Sequence, residues 1–206
     1  MKKWHPQRYK QNALQLKRNT EITKNALRIG HKVNCNKALP IFTLAHLSKQ
    51  SGIDSTILDK LVQRREIDPN TPIYRVFSIK KRTTSEKRYI CVPCHELKTV
   101  QRFIHEKILL QLESHQAVTS YKSDCTIYEA AKHHCSSKWM IKLDLKDFFD
   151  SISEVSVYRV FRKVGYSALL SFQMARLCTR VIPKLESNTT SLARIQIISA
   201  PLLVKW

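Results

Sequence analysis

Residues 138–153, KWMIKLDLKDFFDSIS, set an apolar run directly against three aspartates, Asp144, Asp147 and Asp150. The run is apolar enough for a strand in a buried position. Burying an isolated carboxylate costs several kcal/mol unless the charge is paired or bound to a metal. A fold that accommodates both demands puts Asp144 at the open end of the strand, where its carboxylate meets solvent and can hold a divalent cation. Hard oxygen donors suit Mg²⁺, which binds through one or two carboxylates together with substrate phosphates. The local alternative is that the aspartates favour the N-terminus of a helix beginning near Ser151. That suffices for Asp147 and Asp150, whereas Asp144 needs more than its own neighbourhood to decide it.

Charge narrows the partner. Lys and Arg number 36 against 16 Asp and Glu, a formal net charge of +20, and the basic residues cluster. Such an excess calls for an anionic partner, either nucleic acid or an anionic membrane. No basic amphipathic helix with a large apolar face stands out, which disfavours the membrane. No apolar stretch approaches the roughly 18 residues of a spanning helix. The start, MKKWHPQRYKQNALQLKRNT, is basic with no apolar core behind it, so it does not read as a signal peptide. Cysteines at 35, 91, 94, 125, 135 and 178 are scattered. They read as reduced thiols of a cytoplasmic protein rather than a secreted disulfide framework.

Periodicity predicts a helix-rich α+β chain. Residues 9–29 read as one basic helix within a basic extension over 1–36. In the next stretch, Leu44, Leu47, Ile57, Leu58 and Leu61 fall on two helical faces separated by Gly52, with Ser51 or Asp54 as the cap of the second helix. A turn over Asp68–Pro72 leads into β-rich YRVFSI and RYICV, joined by the polar KKRTTSEK as a hairpin tip. In HELKTVQRFIHEKILLQLES, Leu97, Val100, Ile104, Ile108 and Leu112 recur at three- and four-residue steps, an amphipathic helix. IYEAAKHHC reads as a short helix, KWMIKLDL as a strand, and residues 155–181 as two helices parted at Gly165. The tail after residue 182 fits no element clearly.

These segments, in this order, resemble bacterial reverse transcriptases of the retron type from about Leu39 to Cys178. The family's arginine, proline, Leu-Lys and Gln-Arg series is matched by Arg88, Pro93, Leu97–Lys98 and Gln101–Arg102. Its Asn-Ala-x-x-His element is matched by Ala130-Ala131-Lys132-His133-His134, with alanine in the asparagine position. The resemblance implies right-hand polymerase architecture: a fingers-like region over 37–113 with a β-hairpin flap, an incomplete palm over 114–182, and a divergent tail over 183–206. It implies that Asp144 is the first palm carboxylate of a two-Mg²⁺ site and that Leu145 offers its backbone carbonyl to the metal. Phe149 becomes the steric gate against a ribose 2′-hydroxyl, and Lys81 and Arg88 grip the incoming dNTP triphosphate. Lys98, Gln101, Arg102 and His134 become contacts to template or primer. The partners implied are a structured RNA template and its DNA product, with priming from an internal guanosine 2′-hydroxyl, and a second chain or accessory effector, in antiphage defence.

The family's Tyr-x-Asp-Asp turn and Gln-Gly-x-Pro segment have no counterpart, and no aspartate follows Asp150. One carboxylate cannot reproduce a two-metal site. The expectation is therefore a truncated or frameshifted reading frame, or one piece of a split enzyme, that polymerises nothing alone. Three other readings compete. LAHLSKQSGIDSTILDKLV has a helix-turn-helix pattern, which would make the chain a non-catalytic DNA binder. Cys91 and Cys94, supplemented by His95, His133, His134 and Cys135, have zinc-ligand spacing, although no second Cys-x-x-Cys follows. The third is a catalytically dead nucleic-acid-binding remnant.

Overall fold

Capping residues set where the chain becomes helical. The computed structural model describes residues 4–67, 70, 72–80, 87–113, 115, 118–119, 126–132, 134–145, 148–182 and 194–197, with only the backbone described at 87, 88, 149, 150, 182 and 194–197. Helix α1 (Pro6–Gln15) opens on a proline, whose fixed φ and missing N–H suit the first helical turn. Helix α2 (Thr20–Cys35) starts after Asn19, whose side chain accepts a hydrogen bond from the Glu21 N–H at 2.8 Å. This cap divides the single basic helix expected over residues 9–29 into two. Thr43 caps α3 (Leu44–Ser51) by accepting from the His46 N–H at 3.1 Å. Gly52 ends α3 at φ +75°, a left-handed conformation that other residues adopt with strain. Asp54 then caps α4 (Ser55–Gln63) by accepting from the Thr56 N–H at 2.8 Å.

The hairpin forms as expected. Strands β1 (Tyr74–Lys80) and β2 (Lys87–Pro93) pair antiparallel, with Tyr74 opposite Pro93 and Lys80 opposite Lys87. The Cys94 N–H donates to the Ile73 carbonyl at 2.8 Å, closing the base of the hairpin, and α5 (His95–Lys107) follows at once. This helix stops short of the expected run, and the chain passes into a 3-10 turn at Leu109–Gln111. Short helices α6 (Ile127–Lys132) and α7 (Phe148–Ser151) precede α8 (Glu154–Val164) and α9 (Ala168–Cys178). Gly165, at φ +118°, parts the last two where the sequence predicts. In the segment expected to fit no element, β4 (Arg194–Ile197) pairs antiparallel with β3 (Thr179–Ile182). The α+β expectation holds at the level of a helix-rich chain with a small antiparallel hairpin.

The expected strand over KWMIKLDL does not form. Residues 139–145 are irregular and exposed, with Trp139 at 77% and Leu143 at 85% of full accessibility. A strand is completed by hydrogen bonds to a neighbour, and the two sheets among the described residues, β1–β2 and β3–β4, do not include this segment. Apolar composition without a pairing edge leaves the run unordered as a strand.

One apolar cluster joins the early and late helices. Val33, Ile41, Leu47, Leu58, Val100 and Ile104 pack with Val157, Phe161, Leu170 and Met174. Polar ties at helix ends reinforce it. Asn36, after α2, donates from Nδ2 to the Val164 carbonyl at 2.9 Å, and the buried Tyr166 hydroxyl donates to the Leu39 carbonyl at 2.6 Å. Arg64, after α4, donates through Nη2 to the Glu154 carboxylate and to Thr179 Oγ1. No helix among the described residues is long and apolar enough to cross a membrane.

Burial pushes the Cys178 thiol from its ordinary value near 9 up to about 12, and it also raises the Tyr166 phenol. The folded chain thus keeps protons that the unfolded chain releases. The stability this represents is complete below the unfolded values and is lost as pH rises from about 9 toward 12. Urea unfolding midpoints measured at about pH 7 and about pH 10 should show the chain weaker at the higher pH. Cys178→Ala should recover part of the difference.

Candidate functional site

Helix α5 divides the motif residues between two environments. Leu97, Val100 and Ile104 face the core, which leaves Lys98 and Arg102, four residues apart, exposed on one outer face. Gln101 is buried instead, and its Nε2 donates to the Leu177 carbonyl at 2.8 Å near the end of α9. The last carbonyls of a helix have no partner within it, so this amide satisfies one of them and fixes α5 against α9. A phosphate contact was expected from Gln101, but its side chain is turned inward.

His134 lies in the exposed turn after α6, its backbone N–H bonded to the Ala131 carbonyl at 2.9 Å. Asp144 is exposed on the irregular segment, next to Leu145 at 68% accessibility. Among the described residues, no three His, Cys, Asp or Glu side chains gather where a metal ion could be held. Asp144 and the Leu145 carbonyl are oxygen donors of the kind Mg²⁺ takes, but this set does not amount to a two-metal centre. Lys81 lies outside the described residues, as do the side chains of Arg88 and Phe149. At the rival zinc site, Cys91 and Cys94 are half-buried, and burial raises the Cys94 thiol above its ordinary range. That favours the thiol over the thiolate a zinc ion needs.

Two groupings carry no signal in the sequence pattern. Lys37, Arg159 and Lys163 border a cleft of ≈350 Å³, where Lys37 pairs with Glu113 at 2.8 Å. Trp4, Tyr9, Phe42 and His46 meet at the N-terminal helices. The first is assembled from residues more than a hundred positions apart, and the second joins the extreme N-terminus to the start of α3.

The family model for reverse transcriptase (RNA-dependent DNA polymerase) matches residues 79–190, from the end of β1 through α9 and β3. The chain belongs to the reverse transcriptase family. It is 26% identical over 164 residues to the retron Ec86 reverse transcriptase of Escherichia coli, covering 78% of this chain and 50% of that protein. It is 32% identical over 133 residues to the retron Mx162 reverse transcriptase of Myxococcus xanthus, covering 65% of this chain and 27% of that protein. With the retron Ec83 reverse transcriptase of Escherichia coli the identity is 34% over 90 residues, 44% of this chain and 28% of that protein. Within the family the chain is of the retron type, and it spans half or less of the length of these relatives.

The contrast along α5 is testable. Gln101→Leu leaves a buried carbonyl without its donor and should cost about 1–3 kcal/mol of stability. Lys98→Ala and Arg102→Ala, on the exposed face, should stay within about 0.5 kcal/mol of wild type. Chemical denaturation of the three variants checks both expectations.

Proposed function

We propose that the chain supplies the fingers and part of the palm of an RNA-directed DNA polymerase. The observation that carries this reading is the family match across residues 79–190, which takes in the end of β1, β2, α5 and the segment bearing Asp144. In this reading residues 37–113 are fingers and 114–182 palm, with 1–36 a basic extension and 183–206 a divergent tail. Asp144 and the Leu145 carbonyl are oxygen ligands for Mg²⁺, Lys81 and Arg88 hold the triphosphate, and Phe149 lies against the deoxyribose. Lys98, Arg102 and His134 contact template or primer, and Gln101 serves them by holding α5 in place. The substrates are dNTPs and a structured RNA, worked on in the cytoplasm with an effector or second chain as partner, in defence against phage.

The polymerase reading assigns this chain a single carboxylate, so the 206-residue chain by itself completes no phosphoryl transfer. The helix-turn-helix alternative gains nothing from α4. Its exposed positions include Ser55, Thr56, Asp59 and Lys60, one cation beside an acid and close to Asp54, which is a poor match to duplex phosphates.

Two measurements follow. Primer extension with purified chain, RNA template, dNTPs and Mg²⁺ should give no product; robust synthesis would show that the missing carboxylates are supplied from elsewhere in the chain. RNA affinity, followed by fluorescence anisotropy, should fall with salt at a log–log slope of roughly −3 or steeper, as several phosphate contacts release counterions. A flat salt response would remove the nucleic-acid role.

A further inference from the structure

The N-terminal helices hold a feature that the polymerase reading does not use. Residues of α1, α2 and the start of α3 wall a cleft of ≈930 Å³, within the size range of small-ligand sites. Three rings converge on its wall. Trp4 lies 5.4 Å from Tyr9 and 5.3 Å from Phe42, and Tyr9 lies 5.3 Å from Phe42, centroid to centroid. The His46 imidazole is stacked on Phe42 at 5.7 Å with 15° between planes. Arg8 and Arg18, both exposed, line the same cleft.

Packing explains part of this cluster. The Trp4 ring sits so close to α2 that a Cβ at Gly30 would lie 2.4 Å from it, so Trp4 fastens the N-terminus onto that helix. Packing does not explain the indole N–H, which is buried without a hydrogen-bond partner among the described residues. A donor left unsatisfied is a cost that a purely apolar anchor would avoid. Nor does packing explain two guanidinium groups beside stacked rings in a chain of net charge +20. Burial and the nearby Lys49 lower the His46 pKa, which favours the neutral imidazole.

Aromatic faces with adjoining cations are how proteins hold unpaired bases: the rings stack on the base and the cations take the phosphates. We propose that this cleft binds an unpaired nucleobase of single-stranded nucleic acid, stacked on the Phe42–His46 pair, with Arg8 and Arg18 on the flanking phosphates. The rings and guanidinium groups of the site come from residues 4–46, apart from every residue assigned to the polymerase centre, and the site stands independently of that reading.

Trp4 reports on the site directly. In the full chain carrying Trp139→Phe and Trp206→Phe, Trp4 is the remaining tryptophan. Titration with a six-nucleotide oligouridylate should quench its fluorescence saturably, whereas inorganic tripolyphosphate should not. Phe42→Leu, which keeps apolar volume but removes the stacking face, should weaken the quenching titration about five-fold or more. Arg8→Gln, at an exposed position that leaves the fold intact, should also weaken it measurably. Equal quenching by tripolyphosphate, no quenching by the oligonucleotide, or unchanged affinity in Arg8→Gln would overturn the proposal. Retained salt-dependent RNA binding with a silent Trp4 would sink this site alone and leave the polymerase reading standing.

Discussion

The helical core hangs on the burial of α9. Its Leu170, Met174, Ala175, Leu177 and Cys178 are all but inaccessible, packed in one cluster with residues of α3, α4, α5 and α8. Apolar burial supplies the bulk of the stabilisation, but it has no direction. Direction comes from Gln101 on the Leu177 carbonyl and from Arg64 on Thr179 and Glu154. These bonds meet the end of α9 and the start of α8, where helix termini leave backbone or charge to be satisfied. Helices α4 and α5 are thereby locked to α8 and α9.

That lock decides which parts of the chain are held in fixed positions. The hairpin base is pinned by Cys94 to Ile73, and α5 presents Lys98 and Arg102 outward from a fixed position. The segment with Asp144 has no such support, since its apolar side chains at 139, 141, 143 and 145 all face solvent. The scaffold fixes the face bearing Lys98 and Arg102 and leaves the segment with Asp144 outside both sheets among the described residues.

Local signals in the sequence translated well where one residue decides the outcome. Asp54, Gly52 and Gly165 mark element ends that the structure reproduces. Asn19, whose side chain accepts from the Glu21 N–H, ends one helical period and starts another, a local cap inside a run of continuous helical spacing. The inward turn of Gln101 is legible in the same way: it lies four after Leu97 and three before Ile104, inside the apolar stripe of α5. The strand over KWMIKLDL failed for a different reason. Alternating apolar residues state a readiness to pair, and only tertiary context provides the neighbour. The Arg64–Glu154 pair and the Trp4–Phe42 contact bridge distant positions and leave no trace in any local pattern.

Hydrogen–deuterium exchange on the intact chain addresses the central claim most directly, because it separates the locked helices from the unsupported segment in one experiment. Amides of α5 and α9 should be protected together, opening only with the whole fold, while those of residues 139–145 exchange at rates close to an unfolded peptide. Protection across 139–145 equal to that of α9 would mean the carboxylate segment is a paired strand after all, and would contradict the account.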